Sequence, residues 1–133
     1  MSQRQEIRVP DLHEPISHYT DAVRFGNLLF ISGCGPLDAQ LNLVGGEDVV
    51  EQTRQVFRNM EKILRAAGAS FADVLKVTVY LTNIEDRAKI NPVRQEVFGQ
   101  ARPASTLVEV SRLAVPGMKV EVEAVVGLPE ASR

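Results

Sequence analysis

The spacing of apolar residues changes from helical to extended near Gly68, and this change limits the possible folds more than any other feature. In the segment 47–67 the apolar and small side chains recur at intervals of three and four: Val50, Thr53, Phe57, Met60, Leu64 and Ala67. That spacing forms one stripe of an amphipathic helix. Glu47 and Asp48 fall in its first turn and Gly68 follows its end, as helix termini favour. The next segment, "DVLKVTVYLTNI", has period two and predicts a strand.

The remaining elements are predicted from weaker signals. Gly26-Asn27 lies between two β-prone runs and predicts a hairpin turn. "CGPLDAQLNLVGG" predicts a loop with at most a short strand at 41–44. "EDRAKINPVRQEVFGQA" has helical spacing, and we expect Pro92 near the start of its best-formed part. Two strands are predicted at the end of the chain, at 105–110 and 119–126, with a turn at Pro116-Gly117.

The resulting order, β-β-α-β-α-β-β, predicts an α+β fold in which two helices cover one face of a sheet. We expect one domain over residues 1–133. The uncovered face would carry Glu121, Glu123 and Val125 from the last strand and Tyr80 from the middle one. A monomer would leave these apolar groups in water, so the pattern favours self-association with carboxylates at the junction. A plain solvated face is the alternative.

Composition narrows the function classes. Apolar residues make up 44% and charged residues 24%, as in ordinary globular proteins. The formal net charge is −2 with scattered Lys and Arg, which argues against a nucleic-acid or membrane partner. The N-terminus has no apolar signal region, and a single cysteine fits a reduced, cytoplasmic setting.

No residue pattern identifies the chemistry by itself. Gly33-Cys34-Gly35 is followed by Asp38 rather than the third glycine of a dinucleotide fingerprint. Cys34 is more often a small buried side chain than a nucleophile, because thiolate formation needs a nearby base. No spacing typical of a metal site occurs. For Glu121 and Glu123 the alternative is a solvated strand charge, the usual state of Glu, and spacing alone does not choose an acid or base between them.

Several longer segments carry a resemblance to a known family. They are "YTDAVRFGNLLFISG", "EQTRQVFRNMEKILRAAGASFADVLKVTVYLTNIED", "INPVRQEVF", and "PASTLVEVSRL" followed by "KVEVEAVV". Together, in this order, they resemble the RidA (YjgF) family of reactive-intermediate deaminases. The resemblance implies a chorismate-mutase-like fold and a homotrimer with clefts between subunits. It also implies hydrolysis of imines or enamines to a ketoacid and ammonia, without cofactor or metal.

The resemblance also implies roles for individual residues. Glu121 matches the glutamate that positions water, and Tyr19 matches the aromatic residue of the cleft. Gly33, with its neighbour Cys34, matches a backbone wall of the pocket, and Leu107 matches a residue whose backbone contacts ligand. The five positions Tyr19, Gly33, Cys34, Ser105 and Leu107 are therefore the expected substrate-binding residues.

One position departs from the family pattern. Deaminases of the family have an arginine where this chain has Ser105, and that arginine binds the substrate carboxylate through a bidentate fork. Ser105 cannot replace it, so we expect a substrate other than simple 2-imino acids. Arg24, Arg94 and Arg102 remain open as replacements. The alternative is a trimer that binds a small metabolite without catalysis, and a ribonuclease is a distant third.

Overall fold

The computed structural model describes residues 3–129, which form one mixed sheet with two helices. The elements are β1 (Arg4–Ile7), β2 (Ala22–Phe25), β3 (Leu28–Cys34), α1 (Val49–Ala66), β4 (Val74–Leu81), α2 (Arg87–Phe98), β5 (Ala104–Glu109) and β6 (Val120–Gly127). Short 3₁₀ turns precede β4 and α2, at Phe71–Asp73 and Ile84–Asp86.

The six strands are arranged in the order β1-β2-β3-β6-β4-β5. All neighbours are antiparallel except β4 and β5, which are parallel because α2 connects them. β6, the last strand in the chain, therefore lies near the middle of the sheet. β5 lies at one edge.

The predicted α+β architecture, with both helices on one face, is confirmed. α1 begins at its cap Asp48, whose carboxylate accepts hydrogen bonds from the backbone N–H groups of Val50 and Glu51. It ends before Gly68, whose φ of +75° suits glycine. Its buried stripe packs on β3 and β6, and α2 packs beside it. Inward side chains of β3, β4 and β6 complete the core on this face: Leu29, Ile31, Val77, Val79, Leu81, Val120, Val122, Ala124 and Val126.

The expectation for Pro92 was wrong. α2 begins at Arg87, so Pro92 lies inside the helix and not near its start. The 3₁₀ turn before Arg87 starts the helix early. Pro92 and Ala88, whose carbonyl loses its helical N–H donor, are both exposed, and water can replace that bond.

Two further details differ from or refine the prediction. β1 was not predicted, because "RQEI" is short and mostly polar; it is held by pairing with β2. The loop after β3 contains only an isolated bridge between Leu37 and Leu43 in place of the short strand. The hairpin turn at Gly26-Asn27 is confirmed, with Gly26 at a φ of +64°.

The face of the sheet opposite the helices is only partly polar. Phe25, Leu28, Phe30 and Val108 lie on this open face with 53%, 37%, 46% and 37% of their surface exposed. The register of β3, β6, β4 and β5 places Lys76, Thr78, Tyr80, Glu121, Glu123 and Val125 beside them. The open face thus combines apolar rings with two glutamates.

Candidate functional site

A cavity of about 320 Å³ lies where the end of β3 meets the start of β6. The loop before β2, the loop after β3 and the loop at 114–118 enclose it. Its walls include Ile16, Tyr19, Ser32, Gly33, Leu37 and Glu121. Three of the six predicted site residues, namely Tyr19, Gly33 and Glu121, therefore meet in one cavity.

Glu121 lies directly over Gly33. A Cβ atom built at Gly33 would overlap Oε2 of Glu121 and would come within 2.7 Å of its Cδ. A register shift between Ile31 and Cys34 places Gly33 at a bulge in β3, opposite Glu121 on β6. Only a glycine leaves room for the glutamate side chain in this position.

The surroundings of Glu121 favour its neutral form. Burial raises the pKa of the Glu121 carboxyl above its usual range, and the negative charge of Glu123 adds to this effect. Tyr80 is the Cα partner of Glu121 on β4, and burial also raises the pKa of its phenol, with contributions from both glutamates. A carboxylate whose pKa is raised is a stronger proton acceptor than an ordinary one, which suits a general base.

A part-buried ion pair holds the segment of chain that leads to the cavity. The Arg8 guanidinium donates to Oδ2 of Asp21 at 2.8 Å and to the carbonyls of Leu12 and His13 at 3.1 and 3.0 Å. Ser32 Oγ donates to the carbonyl of Thr20 at 2.6 Å. These bonds attach both ends of segment 12–20, which carries Tyr19, to neighbouring structure.

The side-chain amides of two buried residues of α1 form hydrogen bonds with the loops that make up the other walls of the cavity. The side chain of Gln52, fully buried, donates to the carbonyls of Gly46 and Gly117 at 2.7 and 2.9 Å and accepts from the Lys119 N–H at 2.8 Å. Asn59 donates to the carbonyls of Gly35 and Leu37, both at 2.9 Å.

Sequence reasoning missed these two residues. A signal was present, since both polar amides lie seven positions apart on the buried side of α1. His13 was also missed as a wall residue of the cavity. Its Nδ1 lies 2.8 Å from the Glu14 carbonyl, so that nitrogen carries a hydrogen and Nε2 is left for other partners.

Cys34 lies behind the cavity. Its side chain belongs to the hydrophobic core, with Sγ 3.6 Å from the carbonyl of Ser32. Burial raises the pKa of the thiol, and the charges of Glu121 and Asp21 raise it further. The thiol therefore stays protonated, which argues against a nucleophile and leaves only the backbone beside Gly33 to face a ligand.

Ser105 and Leu107 lie elsewhere in the chain. In β5 they are the Cα partners of Val77 and Val79, so their side chains point to the helix-covered face. Leu107 packs against the core, and Ser105 Oγ accepts a hydrogen bond from Arg94 of α2 at 2.8 Å. Glu121 lies on the opposite face, and β4 separates β5 from β6 by about 10 Å. Within one chain, Glu121 therefore does not contact Ser105 or Leu107.

Within residues 3–129, no group of three His, Cys, Asp or Glu side chains is placed to hold a metal ion. In the same part of the chain, no helix has the length and apolar character that crossing a membrane requires.

Comparison with known proteins identifies the family. The family model described as Endoribonuclease L-PSP matches residues 11–127. The chain belongs to the RidA (YjgF) family. A RutC family protein of Pyrococcus horikoshii is 46% identical over 122 residues, covering 92% of this chain and 96% of the relative. A 2-iminobutanoate/2-iminopropanoate deaminase of Dermatophagoides farinae is 32% identical over 126 residues, covering 95% and 98%.

The fold agrees with that of solved RidA family structures. The crystal structure of RidA from an Antarctic Psychrobacter bacterium superposes with a TM-score of 0.86 at 33% identity, covering 93% of this chain and 99% of that one. The RidA-like α+β fold expected from the sequence is thus confirmed.

Proposed function

We propose that this RidA family member is a hydrolytic deaminase of an imine or enamine, acting in clefts between the subunits of a homotrimer. The observation that carries the proposal is the placement of Glu121 in a cavity, over Gly33 and beside Tyr19. The relative from Dermatophagoides farinae, named as an imino-acid deaminase, supports the reaction type.

Glu121 has the properties that imine hydrolysis requires. As a carboxylate it accepts a proton from water while the water oxygen bonds to the carbon of a protonated C=N group. The resulting carbinolamine takes a proton on nitrogen. The C–N bond then breaks with its electron pair leaving on ammonia, and the hydroxyl loses its proton to form the carbonyl. The raised pKa of Glu121 suits a group that must accept and return a proton in each turnover.

The separation of the predicted site residues supports the homotrimer. Glu121 and Ser105 lie on opposite faces of the sheet with β4 between them, so one site can hold both only if a second copy supplies β5. The exposed Phe25, Leu28 and Phe30 give the open face an apolar surface for such contact. Light scattering should give the mass of three chains, and a monomer would contradict the shared cleft.

Ser105 supports a substrate that differs from simple 2-imino acids, because a serine hydroxyl cannot form the charge-assisted fork of an arginine. The same residue favours the second candidate, a trimer that binds a small metabolite without turnover. Thermal-shift measurements with metabolites would then give stabilisation without product.

Glutamate variants test the proposal. Imines generated in situ by a dehydratase should be hydrolysed above the buffer rate, with ketoacid and ammonia measured separately. Replacing Glu121 by Gln removes the proton acceptor, and we expect a loss of about 10²- to 10⁴-fold in kcat. Glu123→Gln is the matched control, since Glu123 is an exposed glutamate two residues along the same strand face, and it should keep most of the activity. Equal rates for wild type and Glu121→Gln would refute the catalytic assignment.

A further inference from the structure

His13 lies in the wall of the cavity that holds Glu121, although the hydrolysis described above gives it no role. The cavity has a volume of about 320 Å³. Ligand pockets in proteins range from about 300 to 1,000 Å³, so a small molecule in this cavity lies near every wall. His13 also lines a smaller recess beside Gly33 and Gly35. His13 and Glu121 therefore border the same stretch of backbone, the first from the segment before β2 and the second from β6.

The ring of His13 has one nitrogen bonded to the protein and one that can serve a ligand. Nδ1 lies 2.8 Å from the carbonyl oxygen of Glu14, and since a carbonyl only accepts, Nδ1 carries a hydrogen. This bond leaves Nε2, which donates a proton in the imidazolium form and accepts one in the neutral form. Histidine is the side chain best suited to change between these forms near neutral pH.

The backbone at His13 is held by its neighbours, so the ring has a defined place in the wall. Arg8 donates to the carbonyls of Leu12 and His13 at 3.1 and 3.0 Å, and its guanidinium pairs with Asp21 at 2.8 Å. Leu12 belongs to the hydrophobic core. Such anchoring matters for a group that transfers protons, because a misplacement of about 1 Å can cost about 10²-fold in rate.

The charges near His13 permit it to be a cation. The backbone hydrogen bond from Asn42 is the main cause that lowers the pKa of Asp38, in the loop after β3, and the positive charge of His13 contributes. Arg8 is the neighbouring cation, and its charge is balanced by Asp21 at 2.8 Å and by Glu14 at 3.6 Å. The proton-donating form of His13 is therefore not opposed by an unbalanced positive charge.

We propose that His13 is the acid that delivers a proton to the nitrogen of the substrate, in partnership with Glu121. The inference rests on the proposed function and deepens it, because imine hydrolysis needs proton transfer at both nitrogen and oxygen. The imidazolium gives its Nε2 proton to the C=N nitrogen, and water then bonds to the carbon while Glu121 takes a proton from the water. Glu121 passes this proton to the carbinolamine nitrogen, and the C–N bond breaks with its electron pair leaving on ammonia. The hydroxyl proton returns to Nε2, which restores both groups.

Binding of a stable C=N compound tests the contact without turnover. The probe is 2-butanone oxime, a neutral compound whose C=N bond resists hydrolysis. In an NMR titration of the wild-type protein, the ring signals of His13 should shift on binding and those of His18 should not. His18 is the matched control, since it is an exposed histidine of the same segment that lies outside the walls of this cavity. His13→Asn should weaken oxime binding about 2- to 10-fold, the loss of one hydrogen bond.

Three variants measure the effect on the rate of imine hydrolysis. His13→Asn keeps an N–H donor near the place of Nδ1 but cannot transfer the proton, so kcat should fall about 10²-fold or more. His18→Gln should keep full activity. His13→Ala should lose as much as His13→Asn, and added imidazole should restore part of that loss, whereas it should not restore Glu121→Gln. Unfolding temperatures confirm that each variant folds.

The outcomes separate this inference from the proposed reaction. If the oxime leaves the His13 signals unchanged, or if His13→Asn hydrolyses imines as fast as wild type, the inference is wrong. A loss in His13→Ala that imidazole does not restore would indicate a structural role and would also overturn it. If oxime binding depends on His13 but the wild-type protein hydrolyses no imine, the deaminase proposal fails, and the contact between His13 and a C=N group still holds.

Discussion

Leu28 and Leu29 are adjacent leucines in β3, yet 37% of the first and 0% of the second is exposed. Leu29 points to the helices and belongs to the core, whereas Leu28 points to the open face. The same contrast runs across β4 and β6, where valines line one face and Tyr80, Glu121 and Glu123 occupy the other. One face of these strands stabilises the single chain, and the other is available for association and chemistry.

Replacing each leucine by alanine tests this division, and we expect the largest effect on the core side. Leu29→Ala should lower the free energy of unfolding by about 2–5 kcal/mol, because it leaves a cavity in a packed core. Leu28→Ala should cost the single chain less than about 1 kcal/mol and should weaken self-association instead. Urea unfolding at fixed protein concentration and light scattering measure the two effects. Similar losses of stability for both variants would contradict the division.

Gly33→Ala tests the open face where Glu121 lies over β3. The added methyl group would displace the flexible carboxylate, so we expect a loss of about 1 kcal/mol in stability and a marked loss of the proposed deaminase activity. Gly68→Ala is the matched control, since Gly68 has a φ of +75° and no atoms near its would-be Cβ. It should cost about 1–2 kcal/mol through backbone strain alone and keep full activity. Full activity of Gly33→Ala would show that the position of Glu121 is unimportant.

The smallest effect is the pH dependence of stability. The folded Glu121 carboxyl keeps its proton to a higher pH than the unfolded one, so the folded state binds more protons between the two pKa values. Stability therefore falls as pH rises through that interval. Glu121→Gln should match the stability of wild type below the ordinary glutamate pKa of about 4.3 and should have the higher Tm at neutral pH.

A substitution at Glu123 provides a second test of this pH dependence. Its charge contributes to the raised pKa of Glu121, so Glu123→Gln should reduce the difference between wild type and Glu121→Gln. Calorimetric scans at several pH values measure this difference in stability. A Glu121→Gln variant less stable than wild type at neutral pH would show that the charged carboxylate is stabilised in the assembled protein.

Most of the fold follows from periodicity, because α1 and the strands β3, β4 and β6 each bury a regular set of side chains. β1 could not be predicted in this way. Its four residues are mostly exposed, and it exists because β2 offers an edge to pair with. Pro92 was placed wrongly because a local rule for proline ignores the 3₁₀ turn that starts α2 earlier.

The candidate site was predictable only in part. Alternation in β6 separates Glu121 from the core, but it cannot show that Gly33 lies under the glutamate, since that depends on a bulge in β3. Likewise, the face of Ser105 depends on parallel pairing with β4, and the contact with Arg94 depends on how α2 packs. Contacts between segments that are distant in the sequence cannot be predicted from the local spacing of residues.

The position of β5 at the edge of the sheet has a consequence for how such proteins diversify. Residue 105 is exposed there, with few neighbours to disturb, whereas Glu121 belongs to an interior strand that lies between two others. In the proposed cleft, substitutions at this margin would alter which compound is accepted while Glu121 stays in place. If residue 105 binds substrate as proposed, a sheet arranged in this manner would allow new substrates to be acquired at little risk to folding.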